Sequence, residues 1–257
     1  MGEHRVAVVT GGGRGIGRAI ARALCAADYN LVLAARSTDE LAAVRAEIEG
    51  DGGQALAVPT DLRKGDDIDR LAETAQGLGD VELLVNNGGM AGPQGMLWEL
   101  DPGAWAETMA VNVDAVFLCS RAFLPGMIEK GRGSIVNIGS ITGKRPLPGR
   151  SPYAASKMAL VGLTRTLALD TGPFGIRVNL ISPGFVEGAR IDWVIDRQAE
   201  ARGVPSEAVR GEFTAQSPLG RLTSPEDVAA AVVFLASDAA AGITGADINV
   251  NAGVVMY

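Results

Sequence analysis

The chain has 257 residues, 47% of them hydrophobic and 21% charged, which suffices for one domain with a sizeable core. Its 30 acidic against 23 basic residues leave a formal charge of −7, with no basic stripe to neutralise nucleic-acid phosphates. No apolar run reaches the ~18 residues that a membrane-spanning helix requires, so neither nucleic acid nor membrane is expected as a partner.

The opening Met1-Gly2-Glu3-His4-Arg5 leads straight into a strand, without the charged and apolar segments of a secretory signal. Val6 stands where N-myristoylation of Gly2 needs Ser or Thr. Cys25 and Cys119 fall in helix-like apolar stretches and read as reduced, buried thiols, so a cytoplasmic location is expected.

Strand-like and helix-like segments then alternate. Arg5–Thr10 is a predicted strand, a glycine turn follows, and a helix runs from Ile16 to about Ala27. Next come strand Asn30–Ala35, helix Thr38–Glu49, strand Ala55–Val58, helix Asp66–Leu78 and strand Val81–Val85. A long helical region from about Ala104 to Lys130 precedes strand Gly133–Ile138, helix Tyr153–Asp170 and strand Arg177–Ile181. After the charged, helical stretch Glu187–Gln216, helix Pro225–Ala236 and strand Asp247–Val250 close the pattern. The strands are short and apolar on both faces, as in a parallel sheet covered by helices. The alternation predicts an α/β fold, a Rossmann-type doubly wound parallel sheet of about seven strands. No linker or repeat divides the chain, so a single domain over residues 1–257 is expected.

Thr10-Gly11-Gly12-Gly13-Arg14-Gly15-Ile16-Gly17 joins the first strand to the first helix. Glycines permit positive φ and close backbone approach to a pyrophosphate, and the helix N-terminus offers free N–H groups. A tight turn would use glycine too, but the flanking strand and helix are the context of dinucleotide binding. No Gly-Lys-Ser/Thr ends the loop, so it is not a Walker loop. After the second strand, where a carboxylate would accept from a ribose 2′-hydroxyl, stands Ala34-Ala35-Arg36-Ser37. Arg36 is placed to pair a 2′-phosphate, with Arg14 in reach of the same group, which favours NADP over NAD. The alternative is that both arginines are merely solvated. Asp61, after the third strand, either accepts from an adenine amino group or caps its own turn.

Tyr153 and Lys157 are four apart and share one helical face. An ammonium beside a phenol lowers its pKa from about 10 and makes it a usable proton donor near neutrality. Solvated neighbours on a helix would show the same spacing. His4 is the only histidine, which excludes histidine triads and multi-histidine metal sites, and no metal is expected. Asp66-Asp67 and Glu226-Asp227 read as helix-start residues. Trp98, Trp105 and Trp193 read as packing or interface residues.

With these residues in place, the whole chain resembles the classical short-chain dehydrogenase/reductase family, 3-oxoacyl-(acyl-carrier-protein) reductase-like members in particular. Thr10-Gly11, Gly15-Ile16-Gly17, Asn86-Asn87-Gly88-Gly89, Asn112, Ser140 (13 residues before Tyr153) and Pro183-Gly184 carry the likeness in order. The resemblance implies a catalytic tetrad of Asn112, Ser140, Tyr153 and Lys157. Tyr153 would exchange the proton, Ser140 would hydrogen-bond the substrate oxygen, and Lys157 would lower the Tyr153 pKa and bind ribose hydroxyls. Asn112 would hold a water linking Lys157 to solvent.

The implied NADP site comprises Gly11, Gly13, Arg14, Gly15, Ile16 and Gly17 in the loop, with Arg36, Ser37, Asp61 and Leu62 around the adenosine. Asn87, Gly88, Tyr153, Lys157, Pro183, Gly184 and Val186 complete it. The implied activity is hydride transfer between nicotinamide and a carbonyl or secondary alcohol, with a 3-oxoacyl-thioester reductase as the leading form. A sugar, polyol or cyclic-alcohol dehydrogenase is the alternative, and a catalytically silent cofactor-binding regulator is the alternative from another class. The resemblance further implies a lid at residues 187–216 facing a wall at Gly92–Leu97. It also implies a homotetramer joined through the long helices ending near Lys130 and Asp170. Three positions depart from the family pattern: Gly88 for alanine, Gly188 for a frequent threonine, and Asn251-Ala252 for Asp-Gly at an expected subunit edge.

Overall fold

The computed structural model describes residues 5–257; the expectations that rest on Gly2 and His4 fall outside them. Strands β1 (Arg5–Thr10), β2 (Tyr29–Ala35), β3 (Ala55–Pro59), β4 (Val81–Asn86), β5 (Gly133–Ile138), β6 (Ile176–Pro183) and β7 (Asp247–Val250) form one parallel sheet. Their order is β3-β2-β1-β4-β5-β6-β7, so strand order reverses between β1 and β4. In such sheets the ligand crevice opens at that reversal, beyond the carboxyl ends of the strands.

In chain order the helices are α1 (Gly15–Cys25), α2 (Thr38–Gly50), α3 (Gly65–Leu78), α4 (Pro102–Met109) and α5 (Ala115–Lys130). They continue with α6 (Ile141–Lys144), α7 (Ser151–Thr171), α8 (Ala189–Arg202), α9 (Ser206–Ala215) and α10 (Pro225–Ala236). Ala7, Val9, Leu31, Leu33 and Leu83 point to one face of the sheet and pack on α1, α2 and α10. Val6, Val8, Val32 and Leu84 point to the other and pack on α3 and α5. Burial on both faces is why these strands read as unbroken apolar runs rather than alternating ones.

Helix starts follow local chemistry. Ser37 caps α2 by accepting from Glu40 N, and Ser224 with Asp227 forms a capping box on α10. Asp66-Asp67 and Glu226-Asp227 lie in the first turns of α3 and α10, as read. Helix α7 begins two residues before the expected Tyr153, because Pro152 sits in the first turn, where a missing N–H costs nothing.

One expectation needs correction. Pro102–Lys130 is a continuous 29-residue helical run whose most apolar window has a mean hydropathy of 1.3, enough by length and composition to cross a membrane. Its inner face is core instead: Cys119, Phe123 and Met127 are fully buried against the sheet and α3. Burial pushes the Cys119 thiol up to about 12, while Cys25 is half-buried; both are free. Trp98 and Trp193 are 80% and 62% exposed, so neither packs within the chain.

Helices α8 and α9 enclose their own small cluster of Ile191, Ile195, Ala199 and Val209, with Phe185 edge-on to Phe213 at 4.8 Å. This helical pair follows β6 and overhangs the carboxyl end of the sheet near Tyr153, through Arg190.

Candidate active site

The glycine loop is shaped by contacts that a side chain would break. Gly11 and Gly15 have φ of +65° and +51°, and a Cβ on Gly17 would stand 2.1 Å from the Gly11 carbonyl oxygen. Helix α1 carries no side-chain cap, so its first-turn N–H groups and positive dipole end remain available to an anion. Asn87 Nδ2 donates to the carbonyls of Thr10 (2.9 Å) and Gly11 (3.1 Å). Thr10 Oγ1 in turn accepts from Asn87 N and Gly88 N. The end of β4 is thereby locked to the loop. An alanine methyl at Gly88 would stand 2.4 Å from Leu62 Cδ1, so the glycine makes room for Leu62 in this position.

At the adenosine end the two arginines differ. Arg14 is paired with Glu40 at 3.3 Å, whereas Arg36 is exposed and has no carboxylate partner among the described residues. Asp61 spends its carboxylate on Arg63, accepting from Nε, Nη2 and the backbone N–H, which closes its own turn. The Arg63 hydrogen bonds hold the Asp61 carboxyl down to about 2, with a smaller push from the charge of Arg36.

The catalytic end is built on a distortion that periodicity does not reveal. Between α4 and α5 the residues Ala110–Asp114 form a π-turn, an insertion that recurs at functional sites. It turns Asn112 inward, where it is fully buried. Asn112 Nδ2 donates to Met90 O and Ser156 Oγ, both at 3.0 Å, and Oδ1 accepts from Met90 N at 2.8 Å. Only one lone pair of its amide is left for any further partner. Ser156, which no motif singled out, relays this contact to the Tyr153 carbonyl at 2.8 Å.

Lys157 is buried and donates to Ile138 O at 2.9 Å, with Nζ 5.8 Å from the centre of the Tyr153 ring. Burial pushes its ammonium below the ordinary lysine value, against the opposing pull of Tyr153. Ser140 caps α6, accepting from Thr142 N, and lies near enough to the Tyr153 phenol to help lower its pKa. Burial alone would raise the Tyr153 pKa. Lys157, Arg190, the Ser140 hydrogen bond and Arg150 outweigh it, so the phenol lies below its usual value. The four expected residues therefore gather at one place, and Arg150 and Arg190, which no motif assigns to the site, stand at the Tyr153 ring with them.

Beyond β6, Gly184 N donates to Val250 O, and a Cβ on Gly184 would press within 2.8 Å of Asn251 Cα. Pro183 ends β6, and half-buried Val186 bridges Thr223. Gly188 has φ +125°, so a threonine there would be strained. Asn251 is buried and ties the C-terminal turn together through Gly253 N and Val255 O.

A family model described as enoyl-(acyl carrier protein) reductase matches residues 11–255. A 3-oxoacyl-(acyl-carrier-protein) reductase of Staphylococcus epidermidis is 34% identical, with 98% of this chain and all of that protein covered. A cis-4-hydroxycyclohexanecarboxylate dehydrogenase of Sinomonas cyclohexanicum is 37% identical, with 98% of each chain covered. Among solved structures, a variant of actinorhodin polyketide ketoreductase with NADPH superposes with a TM-score of 0.94 at 33% identity, covering 99% of this chain and 98% of that one. Likeness over the whole length, on a sheet that gathers Ser140, Tyr153 and Lys157 at its carboxyl end, makes this chain a member of the short-chain dehydrogenase/reductase family.

Proposed function

We propose that the protein is an NADP-dependent carbonyl reductase, reversible as an alcohol dehydrogenase, whose leading substrate class is a 3-oxoacyl thioester. The observation that carries this reading is Tyr153 beside buried Lys157, whose Nζ lies 5.8 Å from the ring centre and whose charge, with Ser140 close by, lowers the phenol pKa. Tyr153 delivers its proton to the substrate oxygen in reduction and removes it in oxidation. Ser140 donates to the same oxygen and stabilises its developing charge. Lys157 keeps the phenol acidic, and Asn112 supports it through Ser156 and offers its remaining lone pair to a proton-relay water.

The residues present fit a dinucleotide. Support comes from an uncapped helix start behind a positive-φ glycine loop and a 2′-phosphate partner in exposed Arg36, which has no ion pair among the described residues. It also comes from Gly89, whose absent side chain would otherwise stand 3.5 Å from Lys157 Nζ. Gly11, Gly13, Gly15, Ile16 and Gly17 would hold the pyrophosphate, and Arg36, Ser37, Asp61 and Leu62 would surround the adenosine. Asn87, Gly88, Lys157, Pro183, Gly184 and Val186 would line the nicotinamide end. When bound, the nicotinamide supplies or accepts the hydride. Arg36→Asp is expected to move the NADPH/NADH ratio of kcat/KM toward NADH by about 10-fold or more, since it removes a charge-assisted bond and adds repulsion. An unchanged ratio would refute the assignment of Arg36.

Residues 187–216 act as a substrate lid within the single domain, and the chain assembles as a cytoplasmic homotetramer. The apolar side chains of Phe117 on α5 and Met158 and Leu169 on α7 are 52%, 45% and 80% exposed, which suits them to cover one another between subunits. A second reading, an oxo-carboxylate or cyclic-alcohol substrate, is favoured by the arginines beside Tyr153 and by the relative named for a hydroxycyclohexanecarboxylate. A steady-state screen of NADPH and NADH against 3-oxoacyl thioesters, cyclic ketones and sugars tests the proposal. Cofactor binding without turnover across that panel would favour a catalytically silent regulator instead.

A further inference from the structure

Two guanidiniums converge on the ring that carries the reacting proton. Arg150, the residue before α7, places Cζ 5.1 Å from the Tyr153 ring centre, and Arg190, in the first turn of α8, places its own at 5.5 Å. Neither has an ion pair or side-chain hydrogen bond among the described residues. Elsewhere in this acidic chain, Arg14, Arg18, Arg22, Arg63 and Arg202 all pair with carboxylates. Of the acids on α8, Asp192 pairs with Arg210 and Asp196 accepts from Ser206 Oγ.

The Arg150 position is built rather than incidental. Gly95 N donates to Gly149 O at 3.1 Å, joining the loop after β4 to the residue before Arg150. Arg150 is half-buried, and both burial and the neighbouring charge of Arg190 act against its protonated form. Lys157 adds a third cation on the same ring. Like charges held together and partly desolvated, with no carboxylate paired to either arginine among the described residues, are unfavourable until an anion arrives.

We infer that Arg150 and Arg190 form an oxyanion subsite, so that the preferred substrate is a ketone or alcohol bearing a carboxylate a few bonds from the reacting carbon. A planar guanidinium fork on each side matches a carboxylate in geometry as well as charge. The inference rests on the carbonyl-reductase reading and, within it, favours the oxo-carboxylate over the 3-oxoacyl thioester as substrate class. It gives α8 a role as well: a bound carboxylate bridges the lid to the body of the site.

The test compares 4-oxocyclohexanecarboxylate with its methyl ester, and cyclohexanecarboxylate with cyclohexanecarboxamide as non-reacting ligands of the NADPH-loaded protein. The wild type is expected to favour the acid in kcat/KM by about 10-fold or more, chiefly through KM, and to bind the carboxylate over the amide. Arg150→Met and Arg190→Met should each erase about 10- to 100-fold of that acid-over-ester preference. Circular dichroism and NADPH titration report whether each variant is folded and loaded.

Equal kcat/KM for acid and ester, with no preference for the carboxylate ligand, overturns the inference and leaves the reductase reading intact. Turnover of neither ketone nor of any thioester, cyclic ketone or sugar in the panel above, with carboxylate binding that Arg150→Met abolishes, refutes the reductase reading and sustains the subsite. Loss of NADPH affinity in place of carboxylate binding in both variants also overturns it, assigning the arginines to the cofactor.

Discussion

Tyr153→Phe is expected to lower turnover by about 10²- to 10⁴-fold, the range associated with losing a positioned general acid or base, while NADPH affinity stays within a few-fold. Only the hydroxyl is removed. The ring, flanked by Arg150, Arg190 and Lys157, keeps its packing, so the loss falls on kcat. The sign of the pH dependence follows from the lowered Tyr153 pKa. Reduction needs the protonated phenol, so its rate falls as pH rises through that value; oxidation needs the phenolate and rises over the same interval. Arg190→Met, by removing one of the acidifying charges, should move both limbs to higher pH. Steady-state profiles in the two directions check this. Retained activity in Tyr153→Phe, or limbs that ignore Arg190, would remove Tyr153 from the proton-transfer role.

The sheet was legible because its strands are buried on both faces: Val6–Val9 and Leu31–Ala34 announce themselves as apolar runs between glycine turns. Contacts that join distant segments were not. Asn112 could be singled out, but its inward turn depends on a π-insertion that leaves the apolar pattern of Ala104–Lys130 almost unbroken. Arg150 lies three residues before Tyr153 and was open to inspection, yet its meaning depends on Arg190, brought in from the lid helix. Arg14 and Arg36 looked equivalent as phosphate partners; Glu40, early in α2, engages Arg14, while Arg36 has no carboxylate partner among the described residues. Asp61 shows the reverse case, where the ordinary reading as a turn residue describes what its carboxylate does.

The second large effect is structural and lies behind Ser140. Lys144, the last residue of α6, sits 2.9 Å from Asp247 Oδ2 and donates to Asn249 Oδ1 at 2.7 Å. Asp247 Oδ1 also accepts from Ser182 Oγ at 2.7 Å, and the paired side chains are only 11% and 8% exposed. This network pins the short helix that Ser140 caps to β7 at the sheet edge. Asp247→Ala strands a buried ammonium, and breaking a buried pair from one side costs about 3–5 kcal/mol. Chemical denaturation should register that loss. The double replacement Lys144→Met with Asp247→Ala should recover a large part of it, because no uncompensated charge then remains. If Asp247→Ala were as stable as the wild type, or if the double variant were no better than the single, the pair would not be what holds α6. In the single variant kcat should fall with little change in NADPH affinity, since a loosened α6 displaces the Ser140 hydroxyl from the oxygen that Tyr153 protonates.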